Sequence, residues 1–192
     1  MHRVMIVGQP GAGKSTLARA LGARTGLPVI HIDHIHWQPG WVERPRAERI
    51  ELALAAEDGP EWVFEGGLSE TYDHRLSRAD TLIVLDLPLW LRAWRVFRRT
   101  LRHLGHSRPD LPENCPERFD ADFWRWIWDT RHTGAAKNRA LIGLAGPGVA
   151  VHHLTSPRAV RRFLRRLDAG LDQPLDGVGN SGQKARHGTG HD

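Results

Sequence analysis

An α/β fold, with a parallel sheet flanked by helices, follows from three observations on this chain of 192 residues. Short β-branched runs alternate with stretches of helical periodicity, the pattern of βαβ units joined by right-handed crossovers. Directly behind the first run, Gly8-Gln9-Pro10-Gly11-Ala12-Gly13-Lys14-Ser15 fits the spacing G-x-x-x-x-G-K-[ST]. Acids close three of the runs, at Asp33, Glu65 and Asp86. Together these predict a P-loop NTPase with a five-stranded parallel sheet, its ligands lying beyond the carboxyl ends of the strands.

Val4-Met5-Ile6-Val7 reads as the first strand, and Ser15 to Arg24 as the helix that the loop feeds. Glycines let successive N–H groups turn toward an anion, and the helix start adds unpaired donors and the positive end of its dipole. Gly8, Pro10, Gly11, Ala12, Gly13, Lys14, Ser15 and Thr16 are therefore the expected ATP-binding residues. Lys14 can reach the β- and γ-oxygens, while the Ser15 hydroxyl is placed to ligate the Mg²⁺ that bridges them. A Gly-rich turn of no function would not require lysine and a hydroxyl at these two offsets.

Gly26 and Pro28 stop that helix, and Val29-Ile30-His31-Ile32-Asp33 reads as a second strand with Asp33 at its exit. Arg46 to Glu57 is an amphipathic helix with Ile50, Ala53 and Leu54 on one face, closed by Gly59 and Pro60. Trp62-Val63-Phe64-Glu65 is a third strand, and Thr81 to Asp86 a fourth whose unbroken apolar run suits burial on both faces. Pro88 suits the first turn of a long helix that buries Leu89, Ala93, Val96, Phe97, Thr100 and Leu104. Periodicity then disappears over 105–118, where three prolines make a loop too long for a simple connection. A lid over about 103–120, between two long helices, is the expectation. The second of those helices is capped by Asp120, carries Phe123, Trp126, Ile127 and Thr130, and extends past Gly134 toward Ile142. Val149 to Leu154 is the fifth strand, and Ser156-Pro157 starts a last helix with Val160, Phe163, Leu164 and Leu167 inward. The kinase-like domain thus covers 1–170, and the Gly-rich polar stretch 171–192 is expected to be a disordered tail.

Composition narrows the partners. Lys plus Arg number 27 against 22 Asp plus Glu, and most of the excess is arginine, which favours bidentate contact with phosphate. No apolar run reaches eighteen residues and the chain enters its first strand at once, so a cytoplasmic protein without a membrane partner is expected. Cys115 has no second thiol to pair with, which excludes a disulfide framework.

Phosphoryl transfer needs one acid in the metal shell and another to orient or deprotonate the accepting hydroxyl. Glu65 is the preferred metal-shell residue, because the third strand most often lies beside the P-loop strand in small kinases of this topology, and Asp86, with the tidier apolar-run-plus-acid pattern, is its competitor; either acid could instead cap a following helix or turn. Asp33 is better placed to meet the acceptor. His31-x-Asp33-His34-x-His36 invites a transition-metal reading, but no other compact ligand set accompanies it, and a polar rim around the acceptor is the plainer one. Trp37 and Trp41 could stack on a planar acceptor or simply pack over the sheet. Arg92, Arg95, Arg99 and Arg102 share one helix face, either solvated or turned to the cleft, with Arg95 assigned to ATP. Arg118 and Arg131 flank the tryptophan-rich segment and are candidates for neutralising charge on the transferring group, with surface charge as the alternative. The catalytic set is accordingly Lys14, Asp33, Glu65, Arg118 and Arg131. Arg158, Arg161, Arg162, Arg165 and Arg166 on the last helix read as a solvated face, with nucleic acid as the lesser alternative.

The chain also resembles a known group, the bacterial P-loop proteins called topology-modulation (FlaR-type) proteins, related to adenylate kinase. The likeness is carried by Gly8 to Ser15, His31-Ile32-Asp33 with Trp37-Gln38-Pro39-Gly40-Trp41, and Trp62-Val63-Phe64-Glu65-Gly66. Leu85-Asp86-Leu87-Pro88-Leu89-Trp90-Leu91 with Trp94-Arg95, and Cys115-Pro116-Glu117-Arg118-Phe119-Asp120 with Phe123, Trp126 and Trp128, continue it. The resemblance implies a nucleoside-phosphate-kinase-like fold with a lid between the two long helices. Two functions are then in view. One is an ATP- and Mg²⁺-dependent phosphotransferase acting on a small acceptor, a nucleotide by preference. The other is a slow ATPase acting as a DNA-associated regulator.

Overall fold

The computed structural model describes residues 1–108 and 110–170. The tail expected over 171–192, and Pro109 of the lid, lie outside the described residues. β1 (Arg3–Gly8) leads through the P-loop into α1 (Lys14–Thr25), then β2 (Val29–His31) and a short α2 (Ile32–His36). A hairpin of β3 (Trp37–Gln38) and β4 (Val42–Glu43) precedes α3 (Arg46–Glu57) and β5 (Trp62–Glu65). A 3-10 turn, Ser69–Thr71, runs into α4 (Tyr72–Arg78), followed by β6 (Thr81–Leu85) and α5 (Leu89–His103). Beyond the lid segment come α6 (Ala121–Asp129), α7 (Thr133–Leu144), β7 (Ala150–Leu154) and α8 (Pro157–Asp168).

The five longer strands form one parallel sheet in the order β2-β5-β1-β6-β7, so the P-loop strand β1 lies between β5, which ends at Glu65, and β6, which leads to Asp86. Alternation along β1 divides the core. Val4 and Ile6 pack with Leu17, Leu21 and Phe163 on the face of α1 and α8. Met5 and Val7 pack with Ala53, Phe64, Leu76 and Leu141 on the other. That second face also holds a buried polar network. Arg75 Nε donates to Glu57 Oε1 at 2.8 Å and its Nη1 to the Gly66 carbonyl at 3.0 Å, while its guanidinium lies 3.8 Å from the Phe64 ring centroid. Glu57 also accepts from Thr71 Oγ1 and contacts His74 Nδ1, so its charge is fully surrounded by donors.

Three expectations need correction. Asp33 does not end a strand: the β2 ladder stops at the pair His31 and Glu65, and the chain coils into α2, burying Ile32 and Ile35 at helical spacing. With no ladder partner beyond Glu65, extension would leave backbone groups unpaired, and the helix satisfies them locally. His31 and Asp33 therefore do not share a strand face. The second long helix is two helices, α6 and α7, separated by a turn in which the Arg131 N–H bonds to the Trp128 carbonyl. This break lets α7 begin against the P-loop, where Gly134 lies so close to the Gln9 side chain that a Cβ would collide with it. Finally, the line that α5 buries is Arg92, Val96 and Thr100, whereas Phe97 and Leu104 are exposed. The hairpin, α2 and α4 were not foreseen. Asp120 caps α6 through its side chain, accepting from the N–H groups of Asp122 and Phe123, and Ser156 caps α8. No described helix is long and apolar enough to cross a membrane.

Candidate active site

The P-loop closes over the start of α1. Gly13 stands at the N-cap in left-handed conformation (φ 98°), where a side chain would be strained, and it supplies no capping group. The first-turn N–H donors of α1 are thus left without a side-chain cap, which suits phosphate oxygens. A Cβ on Gly11 would strike the Arg92 carbonyl, so the loop is pressed against α5. Two arginines of α5 fasten it there: Arg92 Nη1 donates to the Pro10 carbonyl at 3.3 Å and Arg95 Nη1 to the Ala12 carbonyl at 3.2 Å. The arginine row faces the cleft rather than solvent through Arg92, Arg95 and Arg99, and only Arg102 is exposed. Thr16 is exposed one position beyond Ser15.

Adjacent strand ends bring His31 and Glu65 together. Their backbones are in register, and His31 Nδ1 lies 2.7 Å from Glu65 Oε1 with both side chains almost wholly buried. Burial alone would raise the Glu65 pKa, but the His31 hydrogen bond and the charge of Lys14, with help from the Ser15 hydroxyl, outweigh it and hold the carboxyl below its usual range. Glu65 is therefore an anion directed at Lys14 and Ser15. Asp33, in the first turn of α2, is the opposite case. Burial and the nearby Glu65 charge raise its pKa, and Lys14 and Arg108 only partly offset them. Two neighbouring carboxyls are thus driven apart, one firmly ionised and one ready to take a proton. A hydroxyl at the N-terminus of α1 and a hard carboxylate oxygen make a donor set that fits Mg²⁺.

The described parts of the lid, 104–108 and 110–120, fold down onto this centre. Short bridges pair Leu104 with Glu117 and Ser107 with Pro116. Asp110 contacts Arg108 at 2.7 Å and Arg19 of α1 at 3.5 Å. Burial works against its ionisation, but Arg108, its own backbone N–H, Arg19 and the Ser15 hydroxyl hold its pKa down. Arg99 Nε and Arg108 Nε both approach the buried Glu117 Oε1, at 3.0 and 2.6 Å, without aligned hydrogen bonds. A single carboxylate holds two guanidiniums beside Asp33.

The hairpin after α2 meets the lid from the other side. The Trp41 indole N–H donates to the Pro116 carbonyl at 3.0 Å, its backbone N–H to Cys115 Sγ at 3.3 Å, and the thiol to the Gln38 carbonyl at 3.5 Å. Trp37 and Trp41 pack edge to face with centroids 5.3 Å apart, so these rings serve one another and the lid. Among the described residues no His, Cys, Asp and Glu cluster could hold a metal ion by itself, the His31 to His36 segment included.

Of the residues expected at the site, Gly8 to Ser15, Arg95, Asp33 and Glu65 come together. Asp86 has other partners: its carboxylate accepts from Arg139 at 3.1 Å and lies 3.2 Å from His153 of β7. Arg118 is exposed beside Asp120, and Arg131 stacks on Trp128 with its Nη1 bonded to the Trp128 carbonyl. The cations that do reach the centre, Arg99 and Arg108, were missed, as were Asp110 and the His31–Glu65 pair. Arg99 stood in the helical arginine row, which was the available signal. Arg108 and Asp110 had none, because an irregular loop has no periodicity to read.

No protein-family model matches the chain, and no curated protein matches it. Solved structures do. The chain is similar to shikimate kinase from Acinetobacter baumannii in complex with shikimate, with TM-score 0.52, 18% identity, and coverage of 90% of this chain and 95% of that one. It is similar to shikimate kinase from Bacteroides thetaiotaomicron, with TM-score 0.51, 16% identity, and coverage of 90% and 99%. It is also similar to a sugar kinase from Janibacter sp., with TM-score 0.52, 16% identity, and coverage of 89% and 96%. Identities this low speak for the fold alone, and the fold they share with this chain is that of the P-loop small-molecule kinases.

Proposed function

We propose that the protein is a phosphotransferase that moves the γ-phosphoryl group of ATP to a hydroxyl of a small acceptor. The observation that carries this reading is the placement of Asp33, a carboxyl of raised pKa set within electrostatic reach of Lys14 and Glu65. In this reading the P-loop N–H groups and Lys14 bind the triphosphate, and Ser15 and Glu65 would hold Mg²⁺. The ion would supply charge neutralisation between the β- and γ-phosphates. Asp33 accepts the proton of the acceptor hydroxyl as its oxygen bonds to the γ-phosphorus and the bond to the β-phosphate oxygen breaks, releasing ADP. Arg99 and Arg108 take the part first assigned to Arg118 and Arg131, donating to the transferring group. The similar structures of a shikimate kinase in complex with shikimate and of a sugar kinase support a small hydroxylated acceptor, and the resemblance to the adenylate-kinase-related topology-modulation proteins supports a nucleotide. Coupled ADP formation measured across nucleoside monophosphates, nucleosides and polyhydroxy acids tests the reading. An acceptor that raises ADP release well above the basal rate is expected, and the absence of any would sink it.

One observation favours the second reading, a slow ATPase associated with DNA, as the resemblance to topology-modulation proteins implies. Arg158, Arg161, Arg162, Arg165 and Arg166 of α8 are all exposed. None of them makes an ion pair with a described residue. Duplex binding should then fall steeply with salt, by a slope that reports the phosphates contacted. A salt-independent signal rejects it.

A further inference from the structure

The amphipathic helix α5 is mounted with Arg92, Arg95 and Arg99 toward the cleft and much of its apolar surface toward water. Trp90 is 72% exposed, Trp94 54%, Phe97 39%, Leu101 60% and Leu104 55%. Within α5 the spacing of four, three and four places Trp90, Trp94, Phe97 and Leu101 in one stripe on the exposed side, away from the buried line Arg92, Val96 and Thr100, and the exposed C-cap residue Leu104 follows directly after the helix. From Trp90 to Leu101 the stripe runs about 16 Å along the helix. The Trp94 and Phe97 rings lie together in it, 5.9 Å between centroids. Solvent-exposed apolar side chains are ordinarily scattered, and a continuous stripe with two tryptophans marks a surface that something covers.

Charge identifies the occupant. α5 contains no Asp or Glu, and its exposed Arg98 and Arg102 border the stripe without an ion pair to any described residue. A second copy of the same helix would set arginine against arginine. Bases could stack on the tryptophans, but Leu101 and Leu104 offer them nothing. An acidic surface with an apolar layer beneath it satisfies every member: guanidiniums pair with headgroup phosphates, indoles sit at the interface, and the leucines enter the acyl boundary. We infer that α5 docks the protein peripherally on an anionic lipid surface. This is association with one leaflet, separate from the kinase reading and independent of it.

Co-sedimentation of the full chain with vesicles tests the inference, using phosphatidylcholine alone and an equimolar mixture with phosphatidylglycerol. The protein should pellet with the anionic vesicles only, and added salt should release it. The variant W90S/W94S/L101S, whose changes are all at exposed positions, should lose pelleting while keeping the wild-type melting temperature and ATP binding. Arg98→Gln with Arg102→Gln should weaken anionic-vesicle binding on the order of tenfold. A variant with Arg161, Arg162 and Arg165 changed to Gln separates the basic face of α8 and should pellet like wild type. Absence of pelleting with either vesicle overturns the inference. So does pelleting that survives W90S/W94S/L101S, or that disappears only in the α8 variant. A concentration-dependent dimer lost in W90S/W94S/L101S, without vesicle binding, also overturns it and gives the stripe to a second copy.

Discussion

At the residue scale the proposed transfer turns on two carboxyls and a lysine. Lys14→Ala removes the only side-chain cation of the loop itself, so ATP turnover should fall on the order of a hundredfold or more, read as ADP release. Asp33→Asn keeps the shape and removes the base, and the turnover number should drop by roughly a hundred to ten-thousandfold. Because burial and Glu65 raise the Asp33 pKa, the wild-type rate should climb with pH along a limb displaced above the ordinary aspartate range, and that limb should vanish in Asp33→Asn. Stability follows the same sign. A carboxyl whose folded pKa is raised favours folding below its unfolded pKa, and this contribution is lost as pH rises through the folded value. Asp33→Asn should therefore melt higher than wild type at neutral pH, with the gap closing in acid. Glu65, held low, contributes in the other direction: its share is present above the usual glutamate range and fades as pH falls through the folded value. The loop's place behind a strand, and Glu65 at the end of β5, were legible because spacing around a strand constrains residue type, whereas the helical setting of Asp33 was not. The pairing of His31 with Glu65 was not, since it depends on strand register, which only the assembled sheet fixes.

At the scale of elements, alternation and caps were readable, and changes of chain direction were not. α1, α3, β5, β6 and α8 lie within a few residues of their expected limits, because burial on a strand or helix face leaves a period in the sequence. α2 and the hairpin have too few residues for a period, and the α6–α7 break answers to the Gln9 contact with Gly134, which is distant in sequence. The Asp120 cap can be weighed directly: Asp120→Ala should cost about 1 kcal/mol, measured as a shift in the denaturant midpoint. Within the lid, Glu117 faces Arg99, Arg108 and Thr100. Glu117→Gln leaves two guanidiniums crowded around a neutral amide and should destabilise the fold by about 3 kcal/mol, in the range for a broken buried pair. ATP should recover part of that loss, because its phosphates offer the same arginines a new anion. A nucleotide-dependent rise in melting temperature larger in Glu117→Gln than in wild type would bear this out.

For the whole molecule, the sheet carries both halves of the cleft, and ligand binding should be felt as global stability. Saturation with ATP and Mg²⁺ at about a hundred times the dissociation constant should add about 2.7 kcal/mol, and Lys14→Ala should show almost none of it by thermal melting. The contact from Trp41 to Cys115 and Pro116 has a meaning for lid opening in this assembly. A clasp of one good hydrogen bond and two weak sulfur contacts is worth about 1 kcal/mol, so it contributes only about a factor of five to the closed-to-open ratio. On the proposed phosphotransferase reading, loosening the clasp alone, as in Trp41→Phe, should change the opening equilibrium by no more than about fivefold, because the ion pairs of Asp110 with Arg19 and of Glu117 with Arg99 hold the lid independently of it.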